Sequence, residues 1–230
     1  MKQETKRLIL KEMYRVYSEF VAGIDLACEI GCAECCTCNV TMTSLEGYGA
    51  LNALKRVSDG KLLKTLRERM SDKKFHPQIT TNGLANVCAN DEAIPVEEID
   101  PDWGICPLLT DKKCPIYEAR PFECRSFSSK VNCSDKGFAD MDSFVMVVNN
   151  LFRQYIEHVD STGVTGNLTD VILLLDETDN QEVIWSRVDQ KTYALIPNEP
   201  LKVLMIPPEY REKIQPIIDS LRSIKVQVPE

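Results

Sequence analysis

The sequence is poor in histidine, and this scarcity excludes several classes of metalloenzyme. Its two histidines, His76 and His158, lie far apart in the chain and form no His-x-x-His or His-Glu-x-x-His pair. Zinc metalloproteases and zinc deaminases depend on such ligands, so neither class fits this chain. A nucleophilic cysteine with a histidine partner stays open, but the sequence does not single out one thiol for that role.

The glycine-rich motifs that bind nucleotides are also absent. No Gly-x-Gly-x-x-Gly segment is present, and Gly163 and Gly166 are not followed by the Lys-Ser/Thr pair of a phosphate-binding loop. The sequence therefore predicts a plain turn over residues 161–167 and no nucleotide site.

Long apolar runs are missing as well. The longest, residues 171–175, falls far short of the ~20 residues that cross a bilayer. The chain begins with charged residues, and the apolar residues 8–10 are followed at once by Lys11 and Glu12, unlike the core of a secretion signal. We expect a soluble, cytoplasmic protein.

Basic residues are fewer than acidic residues. The chain has 27 Lys and Arg residues against 35 Asp and Glu residues, a net charge of -8. Nucleic acids and anionic membrane surfaces repel such a protein. We therefore expect no nucleic-acid partner and no membrane partner, whereas an unknown protein partner stays open.

Cysteine, by contrast, is abundant, with ten residues in a chain of 230. Thiols that stay reduced in the cytoplasm bind metals more often than they form disulfides. Thiolates select zinc, copper(I) or iron–sulfur clusters, and four of them complete a zinc or a cubane site. Nine cysteines fall within residues 28–38 and 106–133. Cys88 stands alone and is predicted to be a core residue outside the metal site.

The two groups carry a composite motif. It reads Cys32-x-x-Cys35-Cys36, then Cys-Pro-x-Leu at 106–109, then Cys-x-Ile-Tyr-Glu-x-Arg-Pro-x-x-Cys-Arg at 114–125. With this motif, residues 28–133 resemble the YkgJ-type cysteine-cluster family, which is described as a zinc- or iron-chelating domain without one agreed activity.

The resemblance implies a set of metal ligands but not their grouping. The implied ligands are Cys32, Cys35, Cys36, Cys106, Cys114 and Cys124, with Cys133 as a further ligand. Tyr117 and Arg120 are motif positions for which we expect packing and support of the sulfurs. Cys28 and Cys38 flank the motif and serve either a second metal or none.

An iron–sulfur cluster, with [4Fe–4S] favoured over other types, is the preferred cofactor, and zinc is the other candidate. The vicinal Cys35–Cys36 pair and the long spacings within 106–133 differ from the Cys-x-x-Cys knuckles of structural zinc, whereas clusters often take thiolates from irregular loops. The predicted role is redox or cluster-dependent, with enzyme activity left open. The alternatives are a zinc-stabilised interaction module without redox activity and a protein that stores or senses metal.

The first cysteine group also contains a spacing that is typical of one class of enzyme. Cys28-x-x-x-Cys32-x-x-Cys35 matches that of radical S-adenosylmethionine enzymes, but Glu34 stands where those enzymes place an aromatic residue. The strand and helix alternation of their barrel is not predicted either. Flagellin lysine N-methylases contain a similar cysteine cluster, yet no methyl-donor site is evident in this sequence.

Apolar periodicity predicts a mainly helical fold. One stripe, residues 9–24, indicates an N-terminal helix, and a second helix over 141–159 is expected to pack against it. The capping signature at 43–46 predicts two helices with a break near 58–60. A further helix is predicted over 168–175.

The remaining segments are predicted to be less regular. Residues 89–103 are acidic and rich in proline, which favours a loop. Cys114 is expected to cap a short helix that starts at Pro115 and ends before Pro121. Apolar runs between 183 and 206 predict a small β-element, and a last helix follows.

Together these elements predict a helical cysteine-cluster metal-binding domain over 1–160. Residues 161–230 are expected to form a C-terminal extension packed on the same core.

Overall fold

A computed structural model describes residues 1–179, 182, 185–188 and 192–226. In these residues the chain is mainly helical, as predicted. The helices are α1 (Gln3–Ala22), α2 (Ser44–Ser58), α3 (Lys61–Glu68), α4 (Thr81–Ala89), α5 (Phe122–Ser126), α6 (Cys133–Lys136), α7 (Ser143–Val159), α8 (Leu168–Glu177) and α9 (Arg211–Arg222). The strands are β1 (Thr41–Thr43), β2 (Val164–Asn167) and β3 (Ile196–Pro197). None of the described helices has the length and apolarity needed to cross a membrane.

The N-terminal helix belongs to an aromatic core that it shares with α5, α7 and α9. Tyr17 of α1 packs edge-on against Phe152 of α7, with ring centroids 5.1 Å apart, so the predicted pairing of these two helices is confirmed. Phe122 stacks on Phe152 at 5.5 Å and fixes α5 in the same core. The apolar face of α9 is buried there too, through Ile214 and Ile218. This cluster forms one side of the molecule.

A second core lies between α2 and α8. A Cβ atom added at Gly47 would lie 2.6 Å from Leu175 and 2.7 Å from Val171, so the two helices approach too closely for any side chain at that position. Helix α2 begins with the predicted capping box, in which the Thr43 side chain accepts from the Glu46 amide and the Glu46 carboxylate accepts from the Thr43 amide. Its predicted break before α3 is confirmed as well.

The small sheet differs from its prediction. Its strand order is β1-β2-β3, and both pairings are antiparallel. Strand β3 lies within the predicted region, but β2 occupies residues for which we predicted a turn, and residues 201–206 form no strand. Val183 and Ile184, the start of the predicted β-element, lie outside the described residues. Strands of two to four residues are too short to show the alternation by which a strand is recognised.

The acidic segment at 89–103 is confirmed as irregular. Its described backbone forms no strand and ends in a short 3-10 turn over Pro101–Trp103. It leads directly to Gly104, where the chain meets the first cysteine group.

Candidate metal centre

The two cysteine groups meet through a short antiparallel pairing. The Cys106 amide donates to the Cys36 carbonyl at 2.8 Å, and the Cys38 amide donates to the Gly104 carbonyl at 2.9 Å. Thr37 and Ile105 form the bridge between these bonds. The pairing therefore holds Cys36 beside Cys106, although 69 residues lie between them in the sequence.

A tight hairpin at residues 110–113 then reverses the chain direction. Thr110 and Lys113 exchange two backbone hydrogen bonds, at 3.0 and 2.8 Å. Asp111 and Lys112, the two residues between them, have φ angles of 49° and 60°. Two consecutive left-handed residues are the geometry of a type I′ turn. The turn brings Cys114 back beside the segment that contains Cys106.

Helix α5 places Cys124 and is fastened at both ends. Its first amide, on Phe122, donates to the buried Glu46 carboxylate at 2.6 Å. The Arg153 guanidinium pairs with Glu123 at 2.9 Å, and the Asn149 amide group donates to the Ser126 carbonyl at 2.9 Å. Sequence reasoning identified Glu46 only as a helix cap. Its second role, holding the helix that contains Cys124, has no signal in the local sequence.

The segment between α1 and Cys36 is an irregular loop. Helix α1 ends at Ala22, and the loop is fastened to the rest of the chain at residue 129. The Ala27 amide donates to the Ser129 carbonyl at 2.8 Å, and the Ser129 amide donates to the Cys28 sulfur at 3.2 Å. The turn that follows Ser129 leads to Cys133, the first residue of α6.

These segments enclose a cavity of about 400 Å³ that is lined by seven cysteines. They are Cys28, Cys32, Cys35, Cys36, Cys106, Cys114 and Cys124. Six of the seven cysteines predicted as metal ligands thus lie on one cavity. Cys133 does not line it, while Cys28, which flanks the motif, does.

One wall of the cavity is core and the other is exposed. Val40, Leu108, Ile116 and Leu168 belong to the buried cluster around α2 and α8. The opposite wall is formed by the loop around Cys32 and by the hairpin, whose Lys112 is exposed. No histidine is among the described residues that line the cavity, so sulfur is its dominant donor.

Burial and hydrogen bonds set the thiol acidity. Burial raises the pKa of Cys106 to about 11, against the effect of the Leu108 and Leu109 amides, which donate to its sulfur. Burial also raises the pKa of Cys114, opposed by the Ile116 amide, and that of Cys124. A buried thiolate is costly unless donors or a cation stabilise it. Burial outweighs the amides at these positions, so a nearby cation is needed to favour the thiolate form of the three sulfurs.

The vicinal pair behaves differently from the other thiols. The Cys35 thiol donates a hydrogen bond to the Cys36 sulfur, which lowers the pKa of Cys36 and raises that of Cys35. Cys36 is thus the thiol that the site favours as a thiolate. Thiolates, rather than thiols, are the nucleophiles and metal ligands.

Arg120 supplies positive charge next to the sulfurs. Its guanidinium carbon lies 3.8 Å from the centroid of the Tyr117 ring, and both side chains line the cavity. The charge of Arg120 lowers the pKa of both Cys35 and Cys114, in opposition to the larger effects that raise them. Packing on the Tyr117 ring holds the Arg120 cation in place.

Two predictions about single cysteines are wrong. Cys114 does not cap a helix, because the following helix is a 3-10 turn over Tyr117–Ala119 whose cap is Ile116. Pro121 lies too close for a longer helix to form. Cys88 is exposed on α4 rather than buried, because the inner face of that helix is taken by Asn82 and Ala85. It lies outside the cavity, as expected.

Cys38 also lies outside the cavity lining. It is buried, and its sulfur lies 3.6 Å from each of two acceptors, the Asn39 side-chain oxygen and the Lys73 carbonyl oxygen. These contacts give Cys38 a packing role.

Within the described ranges, no three His, Cys, Asp or Glu side chains are gathered closely enough to hold a single metal ion. The sulfurs instead surround a space. No family model matches the chain, and no curated protein or solved structure is significantly similar to it.

Proposed function

We propose that this protein binds metal through the thiolates of its cysteine-lined cavity, in the form of an iron–sulfur cluster that serves a redox or cluster-dependent role. The observation that carries the proposal is the convergence of seven cysteines from remote segments on one cavity. Cys32, Cys35, Cys36, Cys106, Cys114 and Cys124 are the proposed ligands on the cavity, with Cys133 beside them. Such a cluster supplies reversible one-electron chemistry when it is bound.

The donor set fits a soft metal. Four thiolates leave a net negative charge around a dipositive core, and Arg120 is placed to offset part of it. The backbone amides of Leu108, Leu109 and Ile116 act to lower the pKa of the nearby sulfurs, and amide groups close to sulfur are one of the influences that tune a cluster. All of these groups belong to the protein itself.

The size of the cavity favours a cluster over one zinc ion. Its volume of about 400 Å³ far exceeds the ~10–15 Å³ that one water molecule needs in the same measure. Zinc takes four ligands at ~2.0–2.3 Å and leaves no space inside its coordination shell. Seven thiols around a large space therefore support a polynuclear group. Metal analysis distinguishes this cluster from the alternative, a zinc-stabilised module.

The test is anaerobic purification, followed by a visible absorption spectrum and by iron, sulfide and zinc analysis of the same sample. We expect a brown protein with iron and sulfide in nearly equal amounts. A colourless protein with stoichiometric zinc would contradict the cluster and support a zinc-stabilised module. A protein that takes up neither metal, even after reconstitution, would contradict metal binding altogether.

Single substitutions test the ligands. Cys114→Ser and Cys124→Ser each remove a thiolate from the cavity, and we expect each variant to lose at least half of the bound metal. Cys88→Ser is the matched control, because Cys88 is exposed on α4 and lies outside the cavity. Full metal content in both cavity variants would show that the second cysteine group is not the site.

A further inference from the structure

Arg120 lines the cavity with a buried donor that has no acceptor. Its Nε atom is buried, and the described residues supply no hydrogen-bond partner for it. Its guanidinium is held in place by the Tyr117 ring, which is a contact that uses the face of the cation and none of its N–H groups. A buried charged donor without a partner is costly. An acceptor that enters the cavity would satisfy it.

The second arginine of the cavity shows the contrast. The Nε atom of Arg125 donates to the Arg120 carbonyl at 2.9 Å, and another nitrogen of its guanidinium donates to the Glu118 carbonyl. Its guanidinium carbon also lies 4.3 Å from the centroid of the Tyr14 ring. Arg125 is therefore committed to the fold, whereas the donors of Arg120 are available to a ligand.

Apart from the cysteines, the charged lining of the cavity is mainly basic, although the whole chain has a net charge of -8. Four of its six charged residues are basic, namely Lys112, Lys113, Arg120 and Arg125. Of the two acidic ones, Glu123 is already paired with Arg153 at 2.9 Å. None of the ion pairs in the described part of the chain includes Lys112, Lys113 or Arg120. A cleft with such a lining concentrates anions.

The exposed side of the cavity also carries large apolar side chains. Ile30 is 75% exposed and Phe127 is 46% exposed, and both line the cavity. Apolar groups at the rim of a cavity gain free energy when the apolar part of a ligand covers them. They therefore favour a ligand that has an apolar part as well as a charge.

The volume and the chemistry of the lining agree on the class of ligand. About 400 Å³ lies within the range of pockets that bind small molecules. Guanidinium groups match the geometry of carboxylate and phosphate, to which they donate paired hydrogen bonds. We propose that the cysteine-lined cavity binds a small organic anion, whose carboxylate or phosphate group accepts from Arg120 and whose apolar part covers Ile30 and Phe127.

The position of this anion beside a metal rests on the proposed function, because Arg120 shares its cavity with the seven cysteines. The inference then names the class of substrate for a cluster-dependent reaction. Binding of the anion itself depends on Arg120 and on the apolar rim, so it can be measured separately from metal content.

The experiment is isothermal titration calorimetry on the anaerobically purified, reconstituted full-length protein, with metal analysis of the same sample. The probes are hexanoate and hexyl phosphate, and the comparison compounds are acetate, which lacks the apolar part, and 1-hexanol, which lacks the charge. We expect one site per chain for at least one probe, with acetate and 1-hexanol weaker by about tenfold or more. The tighter of the two probes identifies the preferred acid group.

Two substitutions test the two halves of the site. We expect Arg120→Gln to weaken binding of the probes by about tenfold. Arg211→Gln, at an exposed position on α9 outside the cavity, is the matched control. Ile30→Ser should weaken hexanoate binding by about threefold, and its control is Val96→Ser, which is 96% exposed and also outside the cavity. Because Ile30 is so exposed, its variant tests the site even if Arg120→Gln does not fold, which circular dichroism reveals.

The outcomes separate this inference from the proposed function. If the metal-loaded protein binds neither probe, or binds them equally in the cavity variants and their controls, the inference is wrong and the proposed function stands. If the protein takes up no metal but binds a probe in a manner that depends on Arg120 and Ile30, the anion site stands and the proposed function fails.

Discussion

At the scale of single residues, Glu46 connects more of the molecule than its place in a capping box suggests. It is buried, and its carboxylate accepts from the Thr43 amide at 2.9 Å, from the Tyr14 hydroxyl at 2.9 Å and from the Phe122 amide at 2.6 Å. One carboxylate thus joins α1, α2 and the helix that contains Cys124. Buried donors that lose their acceptor are costly, because they cannot turn to water.

We therefore predict that Glu46→Gln lowers the free energy of unfolding by about 1–3 kcal/mol. The amide keeps one acceptor oxygen, so in either orientation its NH₂ group faces the Phe122 amide or the Thr43 amide and cannot accept from it. Urea denaturation measures the change. Glu12→Gln is the control, since Glu12 forms an exposed pair with Arg15 and is expected to change stability by about 0.5 kcal/mol or less. Equal unfolding midpoints for Glu46→Gln and the wild type would refute this role.

At the scale of elements, the hairpin that precedes Cys114 contains a residue, Lys112, in a strained backbone conformation. Lys112 has a φ of 60°, a left-handed angle that glycine adopts without the steric cost that other residues incur. We predict that Lys112→Gly stabilises the protein by about 0.5–1 kcal/mol and that Lys112→Val destabilises it. The same change at Lys11, exposed within α1, should instead destabilise by about 1 kcal/mol. Equal effects at both lysines, measured by thermal unfolding, would contradict the turn assignment.

At the scale of the whole molecule, Asp160 links distant parts of the fold. It accepts from Ser44 at 2.5 Å and from the Leu45 amide at 2.9 Å, and it pairs with the buried Lys6 at 3.5 Å. Burial raises its pKa to about 6 from an ordinary value of 3.8, although Ser44 and Lys6 act in the opposite direction. Between these values the folded state binds more protons than the unfolded state, so the stabilisation present at low pH is lost as pH rises through about 6.

We predict that the Asp160→Asn variant does not show this loss of unfolding free energy with rising pH, because the amide does not titrate. The difference in unfolding free energy between wild type and variant should fall by about 2–3 kcal/mol from pH 4 to pH 7, at about 1.4 kcal/mol per pKa unit. Urea denaturation at several pH values measures it. Asp142→Asn is the control of opposite sign, because the Phe144 amide lowers the pKa of Asp142, whose contribution is lost as pH falls. A pH-independent difference for Asp160→Asn would contradict the prediction.

The helices of this molecule could be predicted because their apolar period and caps are local. The capping box at Thr43 is an example, since its two partners lie three residues apart. The sheet could not be predicted, because β1 and β2 are short and pair across more than a hundred residues. The same limit applies to the site. Residue type identified the cysteines, but the contact between Cys28 and Ser129 joins positions 101 apart in the chain.

The two walls of the cavity differ in burial. Leu108 and Ile116 on the inner wall are part of a core whose loss would unfold the protein, whereas Cys32 and Lys112 on the outer wall are exposed. Changes in the outer wall can alter the rate at which the cavity exchanges its contents with solvent. Changes in the inner wall alter the equilibrium between folded and unfolded chains. Exchange kinetics and thermodynamic stability can therefore vary independently in this fold.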